Sequence, residues 1–294
     1  MDGRSRRRLS GFFAGIALAV VCAAAAYASV GKLEQPGVFA LLGGTPKIVS
    51  EFWAVHGQGL SATLNVRQYR QDGKTLITAY DVDMQKRMHV IVIRDDFAAF
   101  AHLHPDFDAK TGTFRVAFTK GPNHRYYVYA DSVPTGIGQQ VFRFTIESDG
   151  PLVKLPKSPG PSWPPNVHAG PYTVILQKTT IPANTPTTLD LVIVKGDDPA
   201  DDLAPYLGAA AHVVLIDRST LAYVHVHPML KGQATSMGSM SPEAMEAMES
   251  SNKAGPMMML HLPALPPGTY AVWVQFKGGA SKTLYTAPLT ILAK

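Results

Sequence analysis

The chain of 294 residues contains a single cysteine, Cys22, and it falls in an apolar N-terminal stretch rather than in the body. The body therefore has no disulfide framework and no thiolate with which to hold a metal or attack a substrate. Charge is also scarce: Asp, Glu, Lys and Arg make up 17% of the residues, 27 basic against 22 acidic. The basic excess is concentrated at the start, in Arg4, Arg6, Arg7 and Arg8. Beyond residue 28, 23 basic groups face 21 acidic ones, too even a balance for a nucleic-acid footprint. Nucleic acid is therefore set aside as a partner. No GxGxxG element, phosphate loop or Ser–His–Asp arrangement can be read either.

One long uncharged run is present, at residues 9–31. Basic residues, an apolar centre and the Ala26-Tyr27-Ala28 triplet form a secretory signal pattern with cleavage after Ala28. At about 20 residues the same stretch is also long enough to remain as a membrane anchor helix. Ser5-Arg6-Arg7-Arg8-Leu9 resembles a twin-arginine export signal. Either outcome puts the body in the periplasm or on the outer face of the cytoplasmic membrane, touching the membrane only through residues 1–30.

The body reads as short β-rich runs between turn signals, in two blocks. Leu60–Tyr69, His89–Ile93, Thr113–Phe118 and Val141–Ile146 belong to the first; Thr187–Val194, Val213–Ile216, Met257–Leu262 and Tyr270–Phe276 belong to the second. Alternation, aromatic and β-branched enrichment, and spacing near ten residues predict an all-β fold of two tandem immunoglobulin-like β-sandwich domains. The expected bounds are 45–150 and 171–294. Between them, 151–170 reads as an extended linker, with six prolines from Lys154 to Pro171.

The blocks repeat each other. HVIVIRDDFAAFAHLHP at 89–105 matches HVVLIDRSTLAYVHVHP at 212–228 without a gap, and Tyr126-x-x-Tyr129 parallels Tyr270-x-x-Trp273. Each motif predicts a β-hairpin. A turn centred on Asp95-Asp96 sets His89 opposite His102, with His104 on the same face; a turn at Arg218-Ser219 does the same for His212, His225 and His227. Three imidazoles on one face can close around one metal ion, so each domain is expected to carry its own site. Ile91, Ile93, Phe100, Val214, Ile216 and Tyr223 read as ordinary core. His56, His124 and His168 lie outside the pattern.

Three imidazoles suit copper, zinc or nickel, and affinity order favours Cu(II). Eight of the eleven methionines lie between Met229 and Met259. Thioether sulfur selects Cu(I), so Met237, Met240, Met245, Met248, Met257, Met258 and Met259 are expected second-domain ligands, with His261 beside them. Flexible packing is the other use of such a segment. On this reading the second site prefers Cu(I) more than the first.

The HLHP and HVHP segments, each with a His thirteen residues before its first His, resemble bacterial periplasmic copper-associated β-sandwich proteins of the YtkA-like or CopC-like kind. The resemblance implies export, an immunoglobulin-like sandwich and copper bound by His and Met near one end. It points to His89, His102, His104, His212, His225, His227 and His261. The expectation is thus a non-enzymatic periplasmic protein that sequesters copper or exchanges it with a donor or acceptor protein. The alternatives are an interaction module with structural zinc or no metal, and a copper monooxygenase.

Overall fold

Strands that alternate apolar and polar residues bury one face; strands apolar throughout are buried on both. Both kinds occur in the computed structural model, which describes residues 35–57, 59–147, 165–231, 246 and 253–294. The N-terminal leader and residues 151–164 of the predicted linker lie outside the described residues. Among the described residues, no helix is long and apolar enough to cross a membrane.

The first domain has strands β1 (Gln35–Pro36), β2 (Val38–Phe39), β3 (Ile48–His56), β4 (Ser61–Arg70), β5 (Tyr80–Asp81), β6 (Met88–Arg94), β7 (Phe100–Leu103), β8 (Asp106–Asp108), β9 (Thr113–Thr119), β10 (Tyr126–Pro134) and β11 (Gln140–Ile146). The second has β12 (Asn166–Ala169), β13 (Tyr172–Leu176), β14 (Thr180–Ile181), β15 (Thr187–Lys195), β16 (Asp198–Pro199), β17 (Leu203–Ala204), β18 (His212–Asp217), β19 (Tyr223–Val226), β20 (Met229–Leu230), β21 (Met257–Leu262), β22 (Gly268–Gly278) and β23 (Thr283–Ala293). The second sandwich thus takes in Asn166–Ala169, inside the stretch read as linker.

Sheet order is β1-β3-β4-β9-β8 against β2-β11-β10-β6-β7 in the first domain, and β12-β13-β15-β21-β20 against β14-β23-β22-β18-β19 in the second. Leaving out β1, β2, β12 and β14, each is the A-B-E-D sheet and the G-F-C sheet (with an added C′ strand) of an immunoglobulin-like Greek key. The two predicted sandwiches are there.

Along β15, Leu189, Leu191 and Ile193 are buried in alternation, the pattern of a strand with one face on its own core. β6 and β18 depart from that pattern, since every residue from Met88 to Ile93 and from His212 to Asp217 is buried. Met88, Val90 and Val92 fill the first sandwich; Val213 and Leu215 fill the second. Ile91, Ile93, Tyr129, Val214, Ile216, Tyr223 and Trp273 form a separate third core. The residues read as ordinary sandwich core are therefore the seam between the sandwiches, whose G-F-C-C′ sheets pack face to face. Phe100 stacks on Trp273 at 4.8 Å and Tyr223 on Tyr129 at 5.2 Å, one pair from each direction. Main chain reinforces the seam: Tyr223 N–H donates to Ala40 O at 2.9 Å, and Leu42 N–H to Tyr223 O at 3.2 Å.

The hairpins differ from expectation by two residues of register. Ile91 opposes His102 and Val214 opposes His225, because Arg94 closes on Ala99 and Asp217 on Ala222. The turns hold four residues each and are centred one residue further on than predicted, at Asp96-Phe97 and Ser219-Thr220. Asp96 accepts from Ala98 N–H while pairing with Arg94, and Asp217 accepts from the N–H groups of Ser219 and Thr220. A slip of two keeps every side chain on its predicted face, whereas a slip of one would have reversed them all.

Trp273→Ala removes the largest side chain of the seam without touching either sandwich core. A loss of about 3–5 kcal/mol is expected, with calorimetric unfolding splitting into one transition per sandwich. A single transition at an unchanged midpoint would contradict the seam's role.

Candidate metal centre

The face of β6 that carries Ile91 and Ile93 into the seam also carries His89, and β18 does the same with Val214, Ile216 and His212. Consequently the two predicted triads do not form separate sites. They meet. Within the first triad, ring centroids are 5.1 Å apart for His89–His102, 5.2 Å for His89–His104 and 4.6 Å for His102–His104. In the second, His212–His225 is 5.4 Å, while His227 lies 4.6 Å from both. Across the seam, His89 lies 5.2 Å from His225 and His102 lies 5.4 Å from His212. The expectation of one site per domain is corrected to a single cluster, because the histidine faces of the two sheets are the faces that pack.

Each triad is braced twice. His89 Nε2 lies 3.1 Å from Asp83 O, and His212 Nε2 lies 2.9 Å from Tyr206 O. Both carbonyls start equivalent tight turns, closed by Asp83–Lys86 and Tyr206–Ala209, in which Met84 and Leu207 have positive φ. A carbonyl only accepts, so these Nε2 atoms carry hydrogen and leave each Nδ1 as a lone pair. The second brace comes from the other domain. His102 Nδ1 lies 2.9 Å from Gln275 Oε1, and His225 Nδ1 lies 3.4 Å from Asp131 Oδ2. Asp131 pairs with His89 along β10–β6, and Gln275 pairs with His212 along β22–β18, so the two braces occupy equivalent places.

With Nδ1–H donated outward, His102 and His225 aim bare Nε2 atoms inward. His89 Nδ1 then faces His102 Nε2 at 2.9 Å, and His212 Nδ1 faces His225 Nε2 at 3.2 Å. Two lone pairs at that distance repel unless a cation joins them, and two ligands on one tetrahedral ion at about 2.0–2.1 Å would lie about 3.3 Å apart. His104 Nε2 and His227 Nε2 are buried without a hydrogen-bond partner. The donor set therefore fits a metal of the copper or zinc kind. Nitrogens of His89, His102 and His104 lie within 4.8 Å of one another, as do those of His102, His212 and His225.

Burial, the first cause, holds His89, His102, His212 and His225 below the ordinary imidazole range, and neighbouring imidazoles push His102, His212 and His225 further down. His104 falls to about 3 and His227 to about 4. The cluster is neutral near pH 7, the state in which imidazole binds metal. Burial pushes the Asp131 carboxyl up to about 7, a rise opposed by hydrogen bonds from Gln139 Nε2 and Tyr223 Oη.

Met257, Met258, Met259 and His261 are placed elsewhere. Met237, Met240, Met245 and Met248 lie outside the described residues. Met257, Met258 and Met259 stand on β21, in the A-B-E-D sheet, which the second core separates from the histidine face. Met258 is itself fully buried in that core, and Met257 is exposed. Their assignment as ligands of this cluster is corrected, because strand alternation aims Met258, Leu260 and Leu262 inward. His261, between them, accepts or donates to Thr188 Oγ1 at 2.8 Å. It lines a cleft of about 440 Å3 that also reaches Leu41, Gln139 and His225, but its ring is not among those that converge. Asp95, Asp96 and His124 also approach one another. Both oxygens of Asp96 are engaged by Arg94, however, and Asp95 by His124 and Arg125 N–H. Asp131 and Gln275 escaped the sequence reading; the β10–β22 correspondence through Tyr129 and Trp273 was the signal that could have found them.

The neutral cluster gives the metal-free protein a defined pH response. Histidines in the unfolded chain protonate below about 6.5, while the buried ones resist. Folding then binds fewer protons, so stability falls as pH drops from about 6.5 towards 4, by about 1.4 kcal/mol per pH unit for each such histidine. Urea unfolding of chelator-treated protein across that window measures the slope. A flat profile would contradict the burial of neutral imidazoles.

Comparison with known proteins adds family membership but no activity. No curated protein matches the chain. Among solved structures, the FN1–FN3 domains of chicken CNTN1 are similar at 9% identity, over 89% of this chain and 99% of that one, with a TM-score of 0.19. The strand order above, rather than that likeness, makes the sandwiches immunoglobulin-like. A family model described as a domain of unknown function matches residues 51–150 and 166–294. The chain, both sandwiches included, belongs to the family of that description, DUF8832.

Proposed function

We propose that the protein is an exported copper-binding protein that sequesters copper or passes it to a donor or acceptor partner, and that the histidine cluster is where the ion is held. The observation that carries this reading is the set of inward, unprotonated nitrogens: His89 Nδ1 against His102 Nε2 at 2.9 Å and His212 Nδ1 against His225 Nε2 at 3.2 Å. Copper is preferred to zinc because imidazole donors follow an affinity order that peaks at Cu(II), and no thiolate is present to shift it. The basic, apolar leader supports export to the periplasm or its membrane face. The resemblance to YtkA-like or CopC-like proteins points the same way. A binding rather than catalytic role fits a cluster in which His89, His102 and His212 are buried between two sandwiches and the Nε2 atoms of His104 and His227 are enclosed.

Titration of the purified chain with Cu(II), Cu(I) and Zn(II), followed by calorimetry and by absorption of the copper–imidazole bands, tests the reading. Cu(II) is expected to bind more tightly than Zn(II). His102→Ala, which removes the ring within reach of both donor sets, should weaken Cu(II) binding by more than about 100-fold, since loss even of a ligand's hydrogen-bond partner typically costs 10–100-fold. Unchanged Cu(II) affinity in that variant would overturn the assignment.

A further inference from the structure

Six imidazoles are more donors than a single copper or zinc ion takes, which is ordinarily four. They also form two sets. His89 and His104 belong only to the first, His212 and His225 only to the second, with His102 at the border. His227, its Nε2 bare and its ring 4.6 Å from His212 and His225, is the remaining imidazole of the second-domain triad. Because His89 touches His225 and His102 touches His212, ions held by the two triads would be close neighbours.

The triads match in their turn carbonyls but differ in their cross-domain braces. His102 is backed by an amide, Gln275, whose Nε2 is committed to Thr286 Oγ1. His225 is backed by a carboxylate, Asp131, fully enclosed and held by Gln139 and Tyr223. A carboxylate behind an imidazole strengthens it as a ligand and offsets the ion's charge, and an amide does only the first, more weakly. Two divalent ions among neutral imidazoles repel, so a single buried negative charge on one side makes the sides unequal.

We propose that the six histidines hold two metal ions in one shared centre, and that the ion on His212, His225 and His227 is bound the more tightly because Asp131 backs it. This rests on the metal-binding reading above and deepens it.

Stepwise addition of Cu(II) to the purified chain, with electron paramagnetic resonance at each step, provides the test. Two ions per chain are expected, in two unequal steps. The first should give the full signal of an isolated Cu(II). The second should lower the signal per ion, because neighbouring ions couple their unpaired electrons. Asp131→Asn keeps the shape and removes the charge; it should weaken the tighter step by about 10–100-fold and leave the other unchanged. Gln275→Glu should tighten the weaker step, which keeps the idea testable if Asp131→Asn fails to fold. Saturation at one ion, or two ions with full uncoupled signal, would overturn the shared centre while leaving metal binding intact. Equal weakening of both steps by Asp131→Asn would overturn its role. A chain that binds no Cu(II) would sink the metal-binding reading and this proposal with it.

Discussion

The arrangement depends on one constraint: two equivalent sheets pack face to face, related by a local twofold. Along β6 the seam-facing residues are His89, Ile91 and Ile93, and along β18 they are His212, Val214 and Ile216. The apolar rungs, with Phe100 on Trp273 and Tyr223 on Tyr129, set how closely the sheets approach. The histidine rung inherits that spacing. Because the twofold brings each β10 or β22 strand against the opposite hairpin, each triad receives its backbone brace from its own domain and its side-chain brace from the other.

Much of this was legible from spacing. The interval of thirteen followed by two fixes one face of a hairpin whether the turn holds two residues or four, so His89, His102 and His104 share a face despite the altered register. The convergence of both triads was harder to see, because nothing local states which surface of a sandwich meets another. Yet the signal was in the chain. HVIVIR and HVVLID lack the polar alternation that a strand with one solvated face would show, and each is buried throughout. The methionines misled for a related reason. Composition gathers Met257, Met258 and Met259 into a copper-like cluster, while period two separates them, sending Met258 inward with Leu260 and Leu262. Asp131 and Gln275 belong to neither histidine motif, since each serves a histidine of the other domain; the β10–β22 correspondence is what points to them.

Burial of the cluster works against folding. Six imidazoles are desolvated, and His104 and His227 keep ring nitrogens without partners, a cost of about 1–3 kcal/mol for each unsatisfied group. The apolar seam that packs beside the cluster opposes that cost. An ion bound by the folded state alone would add stability in proportion to the logarithm of its concentration over the dissociation constant.

The same geometry ties the ligands to the seam. His102 reaches His212 and His225 only while the sheets are closed, and its own brace, Gln275, belongs to the second domain. His225 depends likewise on Asp131 of the first. Parting the sheets therefore withdraws donors from both sides and removes both side-chain braces in one motion. The turn carbonyls of Asp83 and Tyr206 stay with their own histidines, so each half retains one oriented imidazole nitrogen but loses its partners across the seam. On the proposed reading, hold on a shared ion would be governed by domain packing as much as by any single ligand, with the stack of Phe100 on Trp273 acting through the seam and Tyr223 reaching His225 directly.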